Sequence, residues 1–284
     1  LKPTYSHAYA IAAETYPFLG STGQLQPKEA FEIVHRYSDK AIGLDSSLSA
    51  GHAAKGAAYL LYDWKWNEAY GSLQKAIKLN PAATDAYQLL SFYYLVMARK
   101  NEAVEIMEKA LRIDPLSSIV QKSLVDAYLI AGRAEEALKQ ADMLLEMHPQ
   151  MRIAVELKGW CVGTLGDWQK AAEIFEEFRK SIEHPLKGFG PLGCAYANSG
   201  QRDKALECIR KIEQWQSEEP GIIVDADLAL IWLSLEDFDK AFYHLFQCVE
   251  KRIGPAAIII EHPTFKVPHD DPRYKLLKEK MSLI

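Results

Sequence analysis

Gly132-Arg-Ala-Glu-Glu-Ala137, Gly166-Asp-Trp-Gln-Lys-Ala171 and Gly200-Gln-Arg-Asp-Lys-Ala205 recur at intervals of 34 residues, and their reading decides the fold. Each runs from a glycine into helix-favouring text that reaches an alanine five residues on. The glycine stands where a left-handed residue closes one helix, a conformation it adopts without a Cβ clash. The alanine falls early in the next helix, where only a small side chain lets two helices approach closely. Working outward, alanines at the same phase precede at Ala69 and Ala103 and follow at Ala241, with spacings of 34, 34, 34, 34 and 36. Pro81, Pro115 and Pro149 recur with the same period of 34. Two residue types phased together predict a repeated helical hairpin.

The interior of each unit agrees. Large residues recur at Leu90, Leu124, Leu192 and Leu228. Small ones follow at Ala57, Ser91, Gly159, Gly193 and Ala229, and aromatics at Tyr94, Tyr128, Tyr196 and Trp232. A period of 34 resembles the tetratricopeptide repeat, a helix-turn-helix unit. The expectation is an all-α solenoid, an α-α superhelix of about seven hairpins, in one domain over residues 1–284. The units span about 3–48, 49–82, 83–116, 117–151, 152–185, 186–221 and 222–253. The first is irregular, with helices at about Thr4–Leu19 and Pro27–Leu44, because Ala30 lies 39 residues before Ala69. Residues 254–270, with Pro255, Pro263 and Pro268, read as a loop or short irregular piece. Residues 271–283 read as a capping helix over the open end of the stack.

Composition narrows the function. The chain has 284 residues, 49% hydrophobic and 25% charged, which is ordinary for a folded domain. Its net charge of -5 argues against a nucleic-acid surface, and no apolar run is long enough to span a membrane. Cys161, Cys194, Cys208 and Cys248 form no Cys-x-x-Cys pair and read as buried free thiols, which favours a cytoplasmic setting. The chain opens on Leu1 rather than methionine, from which we expect a segment of a longer protein.

Tyr62-Asp-Trp-Lys-Trp-Asn-Glu-Ala69, Asn80-Pro81, Asp114-Pro-Leu-Ser-Ser118, His262-Pro-Thr-Phe265 and Asp271-Pro-Arg-Tyr-Lys-Leu-Leu277 add a finer resemblance. Together they resemble the tetratricopeptide arrays of bacterial signalling and transcription regulators. In that family such arrays follow winged-helix, cyclase or kinase domains, often with a TolB-like segment. The resemblance implies a sensing or docking portion whose output domain lies elsewhere.

No nucleotide-binding glycine loop, zinc-protease motif or nucleophile elbow occurs, so no enzyme and no cofactor are expected. His262 and His269, near Asp270 and Asp271, read as a solvated polar loop rather than a metal site. Trp64, Trp66 and Trp168 at turn positions read as packing between repeats. The expected working surface is the concave wall of first helices. At its inward phases stand Tyr62, Gln88, Phe92, Lys122, Asp126, Glu156, Trp160, Asn198 and Leu230. That mixed lining suits a protein or peptide partner, with Phe92 and Trp160 as anchors. A small ligand held in the groove is the alternative. A clamp for a C-terminal carboxylate is not expected, because Asp126 would repel it.

Overall fold

The computed structural model describes residues 5–21, 25–182, 187–219, 223–253 and 255–284. Seven helical hairpins follow one another. They are α1 (Ser6–Ser21) with α2 (Pro27–Leu44), α3 (Ser49–Ala58) with α4 (Trp66–Leu79), and α5 (Thr84–Val96) with α6 (Lys100–Ile113). Then come α7 (Ser118–Ile130) with α8 (Ala134–Met147) and α9 (Arg152–Thr164) with α10 (Trp168–Lys180). The last two pair α11 (Phe189–Asn198) with α12 (Arg202–Glu218), and α13 (Asp225–Ser234) with α14 (Phe238–Glu250). Leu186 and Ile222, where the sixth and seventh units were expected to begin, lie outside the described residues. No strand occurs among the described residues.

The phased residues explain why hairpins nest. Ala69, Ala103, Ala137, Ala171, Ala205 and Ala241 are all 0% exposed, each at the crossing of its two helices. Gly159 and Gly193 lie so close to the facing helix that a Cβ would stand 2.5 Å from Phe175 and from Ile231 respectively. The turns share one device. Trp64, Ala98, Gly132, Gly166, Gly200 and Glu236 all have positive φ, between 56° and 106°. Only three of the six are glycine, so the repeat imposes the left-handed turn even where the residue resists it. The phased aromatics each carry a cation over the ring: Arg99 on Tyr94, Arg133 on Tyr128, Lys204 on Tyr196 and Lys240 on Trp232. The four cysteines are free and buried.

Departures from the pattern sit at the two ends. The α2 helix has 18 residues against 14 in α4, which absorbs the longer first interval. The α3 helix runs into a π-helical turn at Tyr59–Asp63 that the sequence pattern did not signal. Within the expected irregular stretch, Pro255–Ile259 forms a short helix, α15. The last helix, α16 (Pro272–Lys280), starts on an Asp271 cap that accepts from the Arg273 amide, and it packs against α14 as a cap should.

The C-terminal segment does more than cap. It returns to the second and third hairpins. The Trp66 indole N–H donates to the Met281 carbonyl at 2.9 Å, across 215 residues of chain. Arg252 lies over the Trp64 ring at 4.2 Å, and Lys100 Nζ donates to the Glu261 carbonyl at 3.0 Å. Thr264 and Thr164 share a hydroxyl hydrogen bond, and Phe265 meets Trp160 edge-on. Trp64 and Trp66, read as packing between repeats, lie in one buried core with Leu90 and Tyr93 of the next hairpin, and both also contact the C-terminal segment. Trp168 instead packs inside its own hairpin, against Trp160 and Gly163. His262 is corrected as well. It is half-buried against Phe265, accepts from the Thr264 amide, and is pushed down to about 4 by burial and by Lys100.

Candidate functional site

A cavity of about 800 Å³ opens on the concave side of the first four hairpins. Its floor comes from α3, where Ala50, Ala53, Ala54 and Ala57 leave a shallow trough, and from Leu61, Leu89, Phe92 and Leu95. On its other side α3 packs closely on α4, where a Cβ at Gly56 would stand 2.8 Å from Leu73. Phe92 and Leu89 are half-buried, one face on the core and the other toward the cavity. The rim is polar: His7 and Glu14 from α1, Asp85 and Gln88 from α5, and Lys122, Ser123 and Asp126 from α7.

The rim is ordered by hydrogen bonds. Lys122 Nζ donates to Asp126 Oδ2 at 2.6 Å, one helical turn away, and this pair neutralises itself. The Ser123 hydroxyl donates to Gln88 Oε1 at 3.2 Å and joins α5 to α7. Among the described residues Glu14 and Asp85 have no such partner. Burial between helices, together with the charge of Asp85, pushes the Glu14 carboxyl up to about 7. Its side chain nonetheless stays open to solvent.

The wall continues past the cavity with further acids. Glu156 on α9 is pushed up to about 7 by burial and by Asp227, against the pull of Lys187 and a Trp160 hydrogen bond. Asp227 on α13 is raised to about 6 by burial, its carboxylate lying against the Gly190 backbone, where a Cβ would stand 2.0 Å away.

Of the expected wall residues, Gln88, Phe92, Lys122 and Asp126 line this one cavity. Glu156 and Trp160 follow on α9, where Trp160 is packed by Trp168, Phe175 and Phe265. Asn198 lines a separate hollow at the turn edge with Thr164 and Thr264, and donates to the Cys194 carbonyl. Tyr62 stacks on Phe31 at 5.0 Å and joins the core of the first two hairpins. Leu230 is half-buried on the core. Sequence reasoning missed Glu14, Asp85, Leu89 and the alanine floor. Asp85 lies three before Gln88 and Leu89 three before Phe92 on α5, so helical spacing could have found them. Glu14 sits in the irregular first hairpin, where the 34-residue phase gives no guide.

Among the described residues no group of three or more His, Cys, Asp or Glu side chains is arranged to hold a metal. No helix among them is long and apolar enough to cross a membrane.

Comparison with known proteins follows the same lines. The family profile described as the tetratricopeptide repeat matches residues 84–115 and 192–219, the α5–α6 and α11–α12 hairpins. A search of curated proteins finds no match. Among solved structures, a tetratricopeptide repeat protein from Parabacteroides merdae superposes with a TM-score of 0.59 at 13% identity, covering 98% of each chain. PilW, a type IV pilus biogenesis factor, gives 0.58 at 16% identity, over 76% of this chain and 94% of its own. Pseudomonas aeruginosa pilF gives 0.52 at 16% identity, over 82% and 98%. The chain thus carries tetratricopeptide repeats and shares the α-α superhelical fold of these proteins.

Proposed function

We propose that the protein is a non-catalytic docking module that binds a segment of a partner protein in the groove of α1, α3, α5 and α7. The observation that carries this reading is the cavity of about 800 Å³ with an apolar floor and a polar rim. Phe92 and Leu89 offer anchor surface, and Gln88, Ser123 and the Lys122–Asp126 pair offer oriented polar contacts. Selection of binding peptides from a random library tests it. Enriched peptides should lose most of their affinity for Phe92→Ala, and peptides indifferent to that change would sink the groove.

A second reading has its own support, because the cavity falls within the roughly 300–1,000 Å³ of small-molecule sites. A metabolite that raised the melting temperature of the wild type but not of Phe92→Ala would favour it.

Residues 1–284 are read as one unit, supported by the contact of Met281 with Trp66. We read that unit as the docking portion of a bacterial signalling or transcription regulator. Its support is the resemblance of His262–Phe265 and Asp271–Leu277 to regulator arrays. The gene upstream of Leu1 tests this, since it should encode an output domain.

A further inference from the structure

The charge of the concave wall narrows the partner further. Five carboxylates line it, Glu14, Asp85, Asp126, Glu156 and Asp227, against two lysines, Lys122 and Lys187. Burial holds Glu14, Glu156 and Asp227 partly protonated near neutral pH, so a cation brought among them would draw them into the charged form. The imbalance is sharpest at the cavity. Lys122 is spent on Asp126, while Glu14 and Asp85 face one another across the groove with no cation bridging them among the described residues. Like charges in that position repel each other and favour any positive group placed between them. Between these acids lies the apolar trough of Ala53, Ala57, Leu89 and Phe92.

Resting on the docking reading above, we infer that the groove takes a cationic amphipathic segment of a partner protein. Its apolar side chains seat on the alanine-floored trough, and a lysine or arginine reaches between Glu14 and Asp85. Aliphatic stems of such residues lie along apolar surface while their charged heads seek the carboxylates. An acidic segment is disfavoured by the same field. The overlap with small amines is limited by the length of the wall, which extends the acidic line over several hairpins.

The test uses the full chain and three labelled model peptides with the same leucine positions and lysine, glutamine or glutamate between them. Fluorescence anisotropy should show the lysine peptide binding at least about tenfold more tightly than the glutamine one. The advantage should shrink at high salt. Glu14→Gln with Asp85→Asn should remove most of it, with unchanged far-UV circular dichroism, since both side chains are open to solvent. The same charge change at Glu146→Gln with Glu250→Gln, on other surfaces, should leave it intact. Glu14→Lys with Asp85→Lys should turn the preference toward the glutamate peptide. Equal binding of all three peptides, all lost in Phe92→Ala, would overturn the charge inference while leaving the groove standing. Lysine-peptide binding indifferent to both Phe92→Ala and the Glu14/Asp85 changes would overturn both.

Discussion

Phe92 and Trp160 occupy the same phase of the repeat, two units apart, yet their surroundings differ. Phe92 looks into the open cavity beside Gln88 and Asp126. Trp160, also half-buried, is packed edge-on by Trp168, Phe175 and Phe265, the last from the C-terminal segment. The repeat generates a wall that could bind along its whole length, and the non-repetitive tail decides which part stays free. In an open array each unit touches only its neighbours. Here the Trp66 indole donates to the Met281 carbonyl, so the tail is also tied back to the second hairpin.

The largest expected effect tests that tie. Trp66 is 8% exposed and donates to a carbonyl beside the buried Leu277 and Met281. Trp66→Ala should cost about 3–5 kcal/mol by urea denaturation. It should also broaden the transition, because the second hairpin and the tail would no longer unfold together. Phe92→Ala, on the open half, should cost about 1 kcal/mol and act mainly on binding. Equal costs at the two positions would erase the distinction between surface tied to the tail and surface left open.

Next in size is a test of what both halves share. Ala137 is 0% exposed at the crossing of α7 and α8. Ala137→Leu should overpack that crossing and cost about 1–3 kcal/mol in thermal melts. A neutral result would mean that the phased alanines do not set the interhelical distance.

The hairpins were legible in the sequence because their determinants are local and periodic. A buried alanine, a left-handed turn and a large-small pair each constrain one helix crossing, and they return at one interval. The site was legible only where it obeys that interval, as at Gln88, Phe92, Lys122 and Asp126. Glu14 escaped because the first hairpin is out of phase, and the π-turn at Tyr59–Asp63 because no residue there marks it. The tail contacts were invisible for another reason. The pairing of Trp66 with Met281 depends on how far the superhelix winds between them, a sum of small rotations that no single motif encodes. Pro263 and Pro268 correctly signalled irregular backbone but not its destination.

A third, smaller effect concerns pH along the wall between the halves. Burial, then the charge of Asp227, raises Glu156 from 4.5 to about 7 in the folded chain. The fold therefore favours its protonated form. The associated stability is present below the ordinary carboxylate range and is lost as pH rises through about 7. Urea midpoints measured at pH 5 and pH 8 should fall toward the higher pH, and Glu156→Gln should flatten that fall. Asp225 works in the opposite sense at α13. Burial alone would raise it, but hydrogen bonds and charge from His244 and Lys251 hold it below its usual value. Its contribution is present above the ordinary range and lost as pH falls through its lowered pKa, which separates the two groups in one titration.

The smallest expected effect sits at a turn on the open half. Ala98 has φ of 56° at the position that glycine fills in three other hairpins, and its side chain is exposed. A left-handed alanine costs about 1–2 kcal/mol, against the extra unfolded-state freedom of glycine, about 0.5–1 kcal/mol. Ala98→Gly should therefore stabilise the chain by about 0.5–1 kcal/mol. Trp64 has the same conformation at φ 57°, but its ring is buried under Arg252, so Trp64→Gly should destabilise despite relieving the same backbone. Opposite signs at two turns of one phase would show that the repeat sets the backbone at both, and that only the tail makes a turn side chain indispensable.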